Sequence, residues 1–95
     1  IESEIGIQFG AGGQLIDGNY VEIKLSKYNF GIDYKLTNTD FQLIDCTTDS
    51  PAIKIFSCDA SIIVIETKEV GDAVVYITPL SHPELVFELL IRVVE

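Results

Sequence analysis

Chemistry in this chain would have to come from two cysteines, one histidine, a surplus of acids and a short group of aromatics. Cys46 and Cys58 stand twelve positions apart. If segments 41–46 and 53–58 formed a hairpin about Asp49-Ser50, the strand rise would hold the two thiols roughly 15 Å apart, beyond any disulfide. If the segments lay in different sheets, a cross-sheet disulfide would be within reach. The third reading is two small apolar side chains packed in the core, a common role for cysteine. A metal site is disfavoured, because there is no Cys-x-x-Cys and no histidine nearby.

His82 sits in Ser81-His82-Pro83, a turn between the last two apolar runs. No nucleophile stands beside it in a catalytic setting, so no catalytic residue is assigned. Gly10-Ala11-Gly12-Gly13 lacks the Gly-Lys-Ser/Thr ending and the helix of a phosphate loop. It reads instead as a bend that lets the first strand switch sheets. Asp17-Gly18-Asn19 and Asn38-Thr39-Asp40 have calcium-like spacing, but neither continues into an EF-hand loop. Turn chemistry and solubility are the simpler reading of these acids, with an interdomain calcium site as the alternative. No cofactor is expected. Tyr20, Tyr28, Phe30 and Tyr34 lie close together in sequence. Exposed, they would stack on a glycan or a protein partner; otherwise they plug the core and its ends.

These residues hang on elements whose period is two. Val21, Ile23 and Leu25 alternate with Glu22, Lys24 and Ser26, the cleanest half-buried strand in the chain. The same alternation runs through Ile5–Phe9, Ile32–Leu36, Ala73–Ile77 and Phe87–Val94, with shorter apolar runs at 41–46, 53–56 and 62–65. Turn residues separate the runs about every ten positions, the mark of an all-β sandwich or barrel. A helical reading of 83–94 fails, because Val86, Phe87, Ile91, Val93 and Val94 favour strands and no cap precedes them. Seven to eight antiparallel strands in two sheets are therefore expected.

With 95 residues, the chain is read as one domain spanning 1–95, able to form one modest core. Fifteen Asp and Glu against six Lys and Arg give a net charge of −9. That balance argues against nucleic acid and against an anionic membrane surface. No apolar run approaches the roughly 18 residues of a membrane span. The chain opens on Ile1 and contains no methionine, so it is expected to be a domain excised from a longer multidomain protein.

Three stretches carry a family resemblance. Asp49-Ser50-Pro51-Ala52-Ile53-Lys54-Ile55 resembles the serine, small-acid, proline and then alternating apolar segment of bacterial Ig-like domains, the group of invasin and intimin repeats. Val70-Gly71-Asp72-Ala73-Val74-Val75-Tyr76-Ile77-Thr78 is similar to their later strand, and Asp17-Gly18-Asn19-Tyr20-Val21-Glu22-Ile23 to the start of an earlier one. The lumenal Ig-like domains of nuclear-pore membrane glycoproteins are a weaker match. Two cysteines, and an unusually apolar strand after Asp59, depart from the bacterial pattern. The resemblance implies an immunoglobulin-like β-sandwich without catalytic activity. It would act as a structural or spacer module of an extracellular or cell-surface protein, or as a lumenal domain, supporting adhesion or presentation. Its partners would be neighbouring domains of the same chain. The alternative is a glycan- or protein-binding module appended to an enzyme or adhesin.

Overall fold

A computed structural model describes residues 4–11, 14–16, 18–39, 43–59 and 61–95, with the Asp59 side chain left out. Gly12, Gly13, Asp17, Asp40 and Phe41, which figure in the readings above, lie outside the described residues. Those residues form nine strands: β1 (Gly6–Ala11), β2 (Gln14–Leu15), β3 (Tyr20–Lys24), β4 (Phe30–Thr37), β5 (Ile44–Thr47), β6 (Ile53–Asp59), β7 (Ile62–Thr67), β8 (Gly71–Pro79) and β9 (Phe87–Val94). They make two sheets, one ordered β2-β1-β4-β7-β6 and the other β3-β9-β8-β5. The chain is thus all-β. No helix among the described residues is long and apolar enough to cross a membrane.

Two features differ from the expected seven to eight antiparallel strands. The additional β2 is only two residues long and pairs back on β1, too short to leave a period in the sequence. The pairing of β3 with β9 is parallel, with Tyr20 opposite Leu90 and Lys24 opposite Val94. Alternation reveals which face a residue takes, not the direction of its neighbour. The switch between sheets also falls later than the glycine bend. Gly10 pairs with Leu15 inside the β1–β2 hairpin, and the chain changes sheets between Leu15 and Tyr20. Gly10 serves a close approach instead: a Cβ there would sit 3.0 Å from the Gln14 carbonyl oxygen. Gly71, at φ 152°, starts β8 in a backbone region that side chains rarely adopt.

The core lies between the sheets. Ile32, Tyr34 and Leu36 of β4 and Ile63 and Ile65 of β7 meet Ala73, Val75 and Ile77 of β8 and Leu89, Ile91 and Val93 of β9. Every one of these follows the period-two pattern. Among the described residues, no polar or charged residue is buried. On edge strand β6 the register slips between Ile55 and Ser57. This bulge leaves Phe56 61% exposed, and it interrupts an edge that would otherwise invite another strand.

The crossing from β5 to β6 is pinned by side chains. Once β5 ends at Thr47, Thr48 Oγ1 donates to the Val74 carbonyl at 2.7 Å, and the Val74 amide donates to Ser50 Oγ at 3.3 Å. The two hydroxyls extend the β8 ladder where the β5 backbone has left it. The Ala52 carbonyl then accepts from the amides of Lys68 and Glu69, at 2.7 and 3.3 Å, fixing the chain beside the end of β7.

Leu89→Ala should cost about 2–5 kcal/mol, the usual range for a fully buried leucine. Leu90→Ala, one residue along on the outer face, should cost well under half as much. Thr48→Val, which removes the donor to Val74, should cost about 1 kcal/mol. Urea unfolding followed by far-ultraviolet circular dichroism checks all three.

Candidate functional site

The outer face of the β3-β9-β8-β5 sheet collects the side chains best placed to meet a partner. Outward positions fall into registered rows. Tyr20 of β3 stands opposite Leu90 of β9, which stands opposite Val74 of β8. The next row along is Glu22, Arg92 and Asp72. Arg92 Nε donates to Asp72 Oδ1 at 3.0 Å. This hydrogen bond and charge, helped by Tyr20 and Glu22, raise the Arg92 pKa above its ordinary value. On the other side of the apolar row, Glu88 faces Tyr76, and Tyr76 faces Thr47. The face is therefore an apolar strip flanked by charges, a pattern that suits contact with a surface.

Tyr20, Asp72, Val74, Leu90 and Arg92 line a shallow groove of about 180 Å³. That is below the roughly 300–1,000 Å³ of small-molecule pockets. A larger cleft of about 360 Å³ opens between β1 and the start of β9, lined mainly by Ile7, Phe9, Val86 and Phe87, with Asn19 and Glu88 at its polar end. Asn19 is held there by its side-chain amide, which donates to the Glu88 carbonyl at 2.9 Å. Neither space gathers titratable groups around a reacting centre.

The four aromatics singled out from sequence do not form one row. Tyr20 is 43% exposed on the outer sheet face, and Tyr28 is 71% exposed in the loop between β3 and β4. Lys27 Nζ lies 5.5 Å from the centroid of the Tyr28 ring, a cation–π contact at an exposed site. Phe30 is half-buried against the core, and Tyr34 is only 3% exposed within it. Tyr34 shares the inward face of β4 with Ile32 and Leu36, so alternation takes it away from any partner. Leu90, Val74, Tyr76 and Arg92 were missed. The available signal was Leu90, an apolar residue at an outward position between Glu88 and Arg92.

The cysteines lie on edge strands of opposite sheets, Cys46 on β5 and Cys58 on β6. Both are half-buried against the core, and both are thiols. Burial, followed by hydrogen bonding and charge interaction with Cys58, pushes the Cys46 thiol far above the ordinary cysteine range.

His82 serves its turn. Its amide donates to the Pro79 carbonyl, and its own carbonyl accepts from Leu85. The ring nitrogen Nδ1 lies 3.3 Å from Glu84 Oε1. The Glu84 backbone amide and then His82 hold the Glu84 carboxyl below its ordinary value. Ser81 Oγ is buried without a hydrogen-bond partner, so it is not joined to the His82 ring as a nucleophile would be. Among the described residues, no three His, Cys, Asp or Glu side chains gather in a way that could hold a metal ion.

No protein-family model, no curated protein and no solved structure matches the chain.

Nitration of the folded protein with tetranitromethane should modify Tyr20 and Tyr28 and spare Tyr34 until the chain is unfolded. Peptide mass mapping before and after denaturation reads this directly. Early nitration of Tyr34 would contradict the placement of β4.

Proposed function

We propose that the chain is an immunoglobulin-like, non-catalytic module that spaces and presents neighbouring parts of a larger extracellular or cell-surface protein. One observation carries this reading: the order β1-β4-β7-β6 in one sheet against β9-β8-β5 in the other. This order matches the four-plus-three arrangement of a constant-type immunoglobulin sandwich, with β3 added beside β9 and β2 beside β1. Two of the segments that resemble bacterial Ig-like domains fall on defined elements of this sandwich. Asp49–Ile55 covers most of the crossing between sheets and the start of β6, and Gly71–Thr78 lies on β8, one of the two inner strands of the β3-β9-β8-β5 sheet.

The path of the chain supports a spacing role. Glu4 lies where β4 ends: Gly6 pairs with Thr37, and Asn38 Nδ2 donates to the Glu4 carbonyl. Val94 lies where β4 begins, because its carbonyl accepts from the amide of Leu25, the residue that leads out of β3 toward β4. Glu4 and Val94 therefore lie toward opposite ends of the β4 axis. A module threaded in this way separates whatever is attached to its two ends.

A second reading rests on the outer face described above. Tyr20 beside Leu90, with Arg92 and Asp72 at their flank, would suit a flat protein surface or a sugar ring stacked on the tyrosine. In that case the chain is a glycan- or protein-binding module.

Single-molecule energy transfer between dyes placed orthogonally on residues 4 and 95 tests the spacer. The expected result is one narrow distance distribution, at or beyond the roughly 25 Å length of β4, and insensitive to added glycans. A broad or short distribution counts against the spacer. Glycan-array or cell-surface binding that disappears in Tyr20→Ala would favour the second reading.

A further inference from the structure

The edge shared by β5 and β6 brings together two sulfur atoms that a spacing role does not require. β5 and β6 are edge strands of opposite sheets, joined by the short crossing at residues 48–52. Sheets packed face to face stand about 10 Å apart, yet β5 and β6 approach to within 8 Å between Cα atoms. Cys46 shares the inward face of β5 with buried Ile44, while Asp45 and Thr47 point out. Cys58 likewise packs inward from β6. Its Sγ lies 3.6 Å from the Ile44 carbonyl oxygen, so the Cys58 thiol reaches across the gap to the strand that carries Cys46. The separation that a hairpin would have imposed is absent, because the two segments belong to different sheets.

We propose that Cys46 and Cys58 form an oxidisable pair that closes into a disulfide bridging the two sheets at this edge. The electron acceptor is a small-molecule disulfide of the glutathione type. One cysteine thiolate attacks a sulfur of the oxidised reagent, forming a mixed disulfide and expelling one reagent thiolate. The second cysteine, deprotonated, attacks the protein sulfur of that mixed disulfide, forming the Cys46–Cys58 bond and expelling the second reagent thiolate. Two protein thiols and one reagent disulfide thus become one protein disulfide and two reagent thiols. The bridge adds a covalent link between sheets that otherwise meet here through side-chain packing and the 48–52 crossing. Attack requires a thiolate, and burial keeps Cys46 protonated, so closure quickens as pH rises. This inference is independent of the spacer reading, because it concerns the fold of this chain alone.

The test treats the native, reduced protein with oxidised glutathione at mildly alkaline pH and measures intact mass under denaturing conditions. The wild-type chain should lose about 2 Da, the mass of the two hydrogens given up on closure. Peptide mapping should join Cys46 to Cys58. A cross-link closing a loop of this size should raise the Tm by about 10–20 °C, and dithiothreitol should reverse the rise. Cys46→Ser and Cys58→Ser should each carry only a glutathione adduct and show no rise. Cys46→Ala and Cys58→Ala serve as a second pair should either serine variant fold poorly. Two persistent glutathione adducts on the wild-type chain, covalent dimers, or closure only after unfolding in urea would each overturn the proposal. So would a bridge that forms but leaves the Tm unchanged.

Discussion

Among the described residues, the interior of this sandwich buries no polar or charged residue that could bond with the backbone. Every buried amide and carbonyl must therefore find a partner in a strand ladder or at the rim, since an unpaired group in apolar surroundings costs about 1–3 kcal/mol. This requirement shapes the points at which the chain leaves one sheet for the other. Where β5 ends, Thr48 and Ser50 supply hydroxyls to both backbone groups of Val74. Where the chain settles beside β7, the Ala52 carbonyl takes two amides. Thr48 and Ser50 thus belong to the hydrogen bonding of a crossing rather than to a binding site.

The same requirement separates the two surfaces of each sheet. With no charged residue buried among the described residues, their charges are carried by the outer faces, the turns and the strand edges. Two ion pairs form there at or near the surface: Arg92 with Asp72, and Lys68 with the half-buried Glu66. Exposed pairs contribute little to stability. Their effect is to set what the surface will accept. Around Tyr20, Leu90 and Val74, the Arg92–Asp72 pair and Glu22 border an apolar strip with both signs of charge at its margin.

Much of this was legible in the sequence because alternation is a local property. Val21 and Ile23, Ile32 and Leu36, and Val75 and Ile77 announced their faces without knowledge of their neighbours. Tyr34 obeyed the same rule, and its aromatic ring suggested a binding surface only while its place in the alternating row was set aside. What stayed hidden depends on which strands meet. The parallel direction of β3 against β9, the hairpin role of Gly10 and the meeting of Cys46 with Cys58 are set by connections between distant segments. Two positions can both point inward, as these cysteines do, and still lie far apart or close together according to the sheets that hold them. The outer site was partly visible through Leu90, but its companions on β3 and β8 become neighbours only through registers that a single strand does not encode.

The parallel pairing of β3 with β9 has a mechanical consequence. Tension applied at the two ends of the chain, once it reaches these strands, draws β3 toward one end of the body and β9 toward the other. The load then runs along the ladder, and its five residue pairs resist sliding together. In a hairpin pulled open from its ends, the bonds would instead give way one after another. The strand whose direction the sequence did not reveal is thus the one that makes the domain a clamp against stretching.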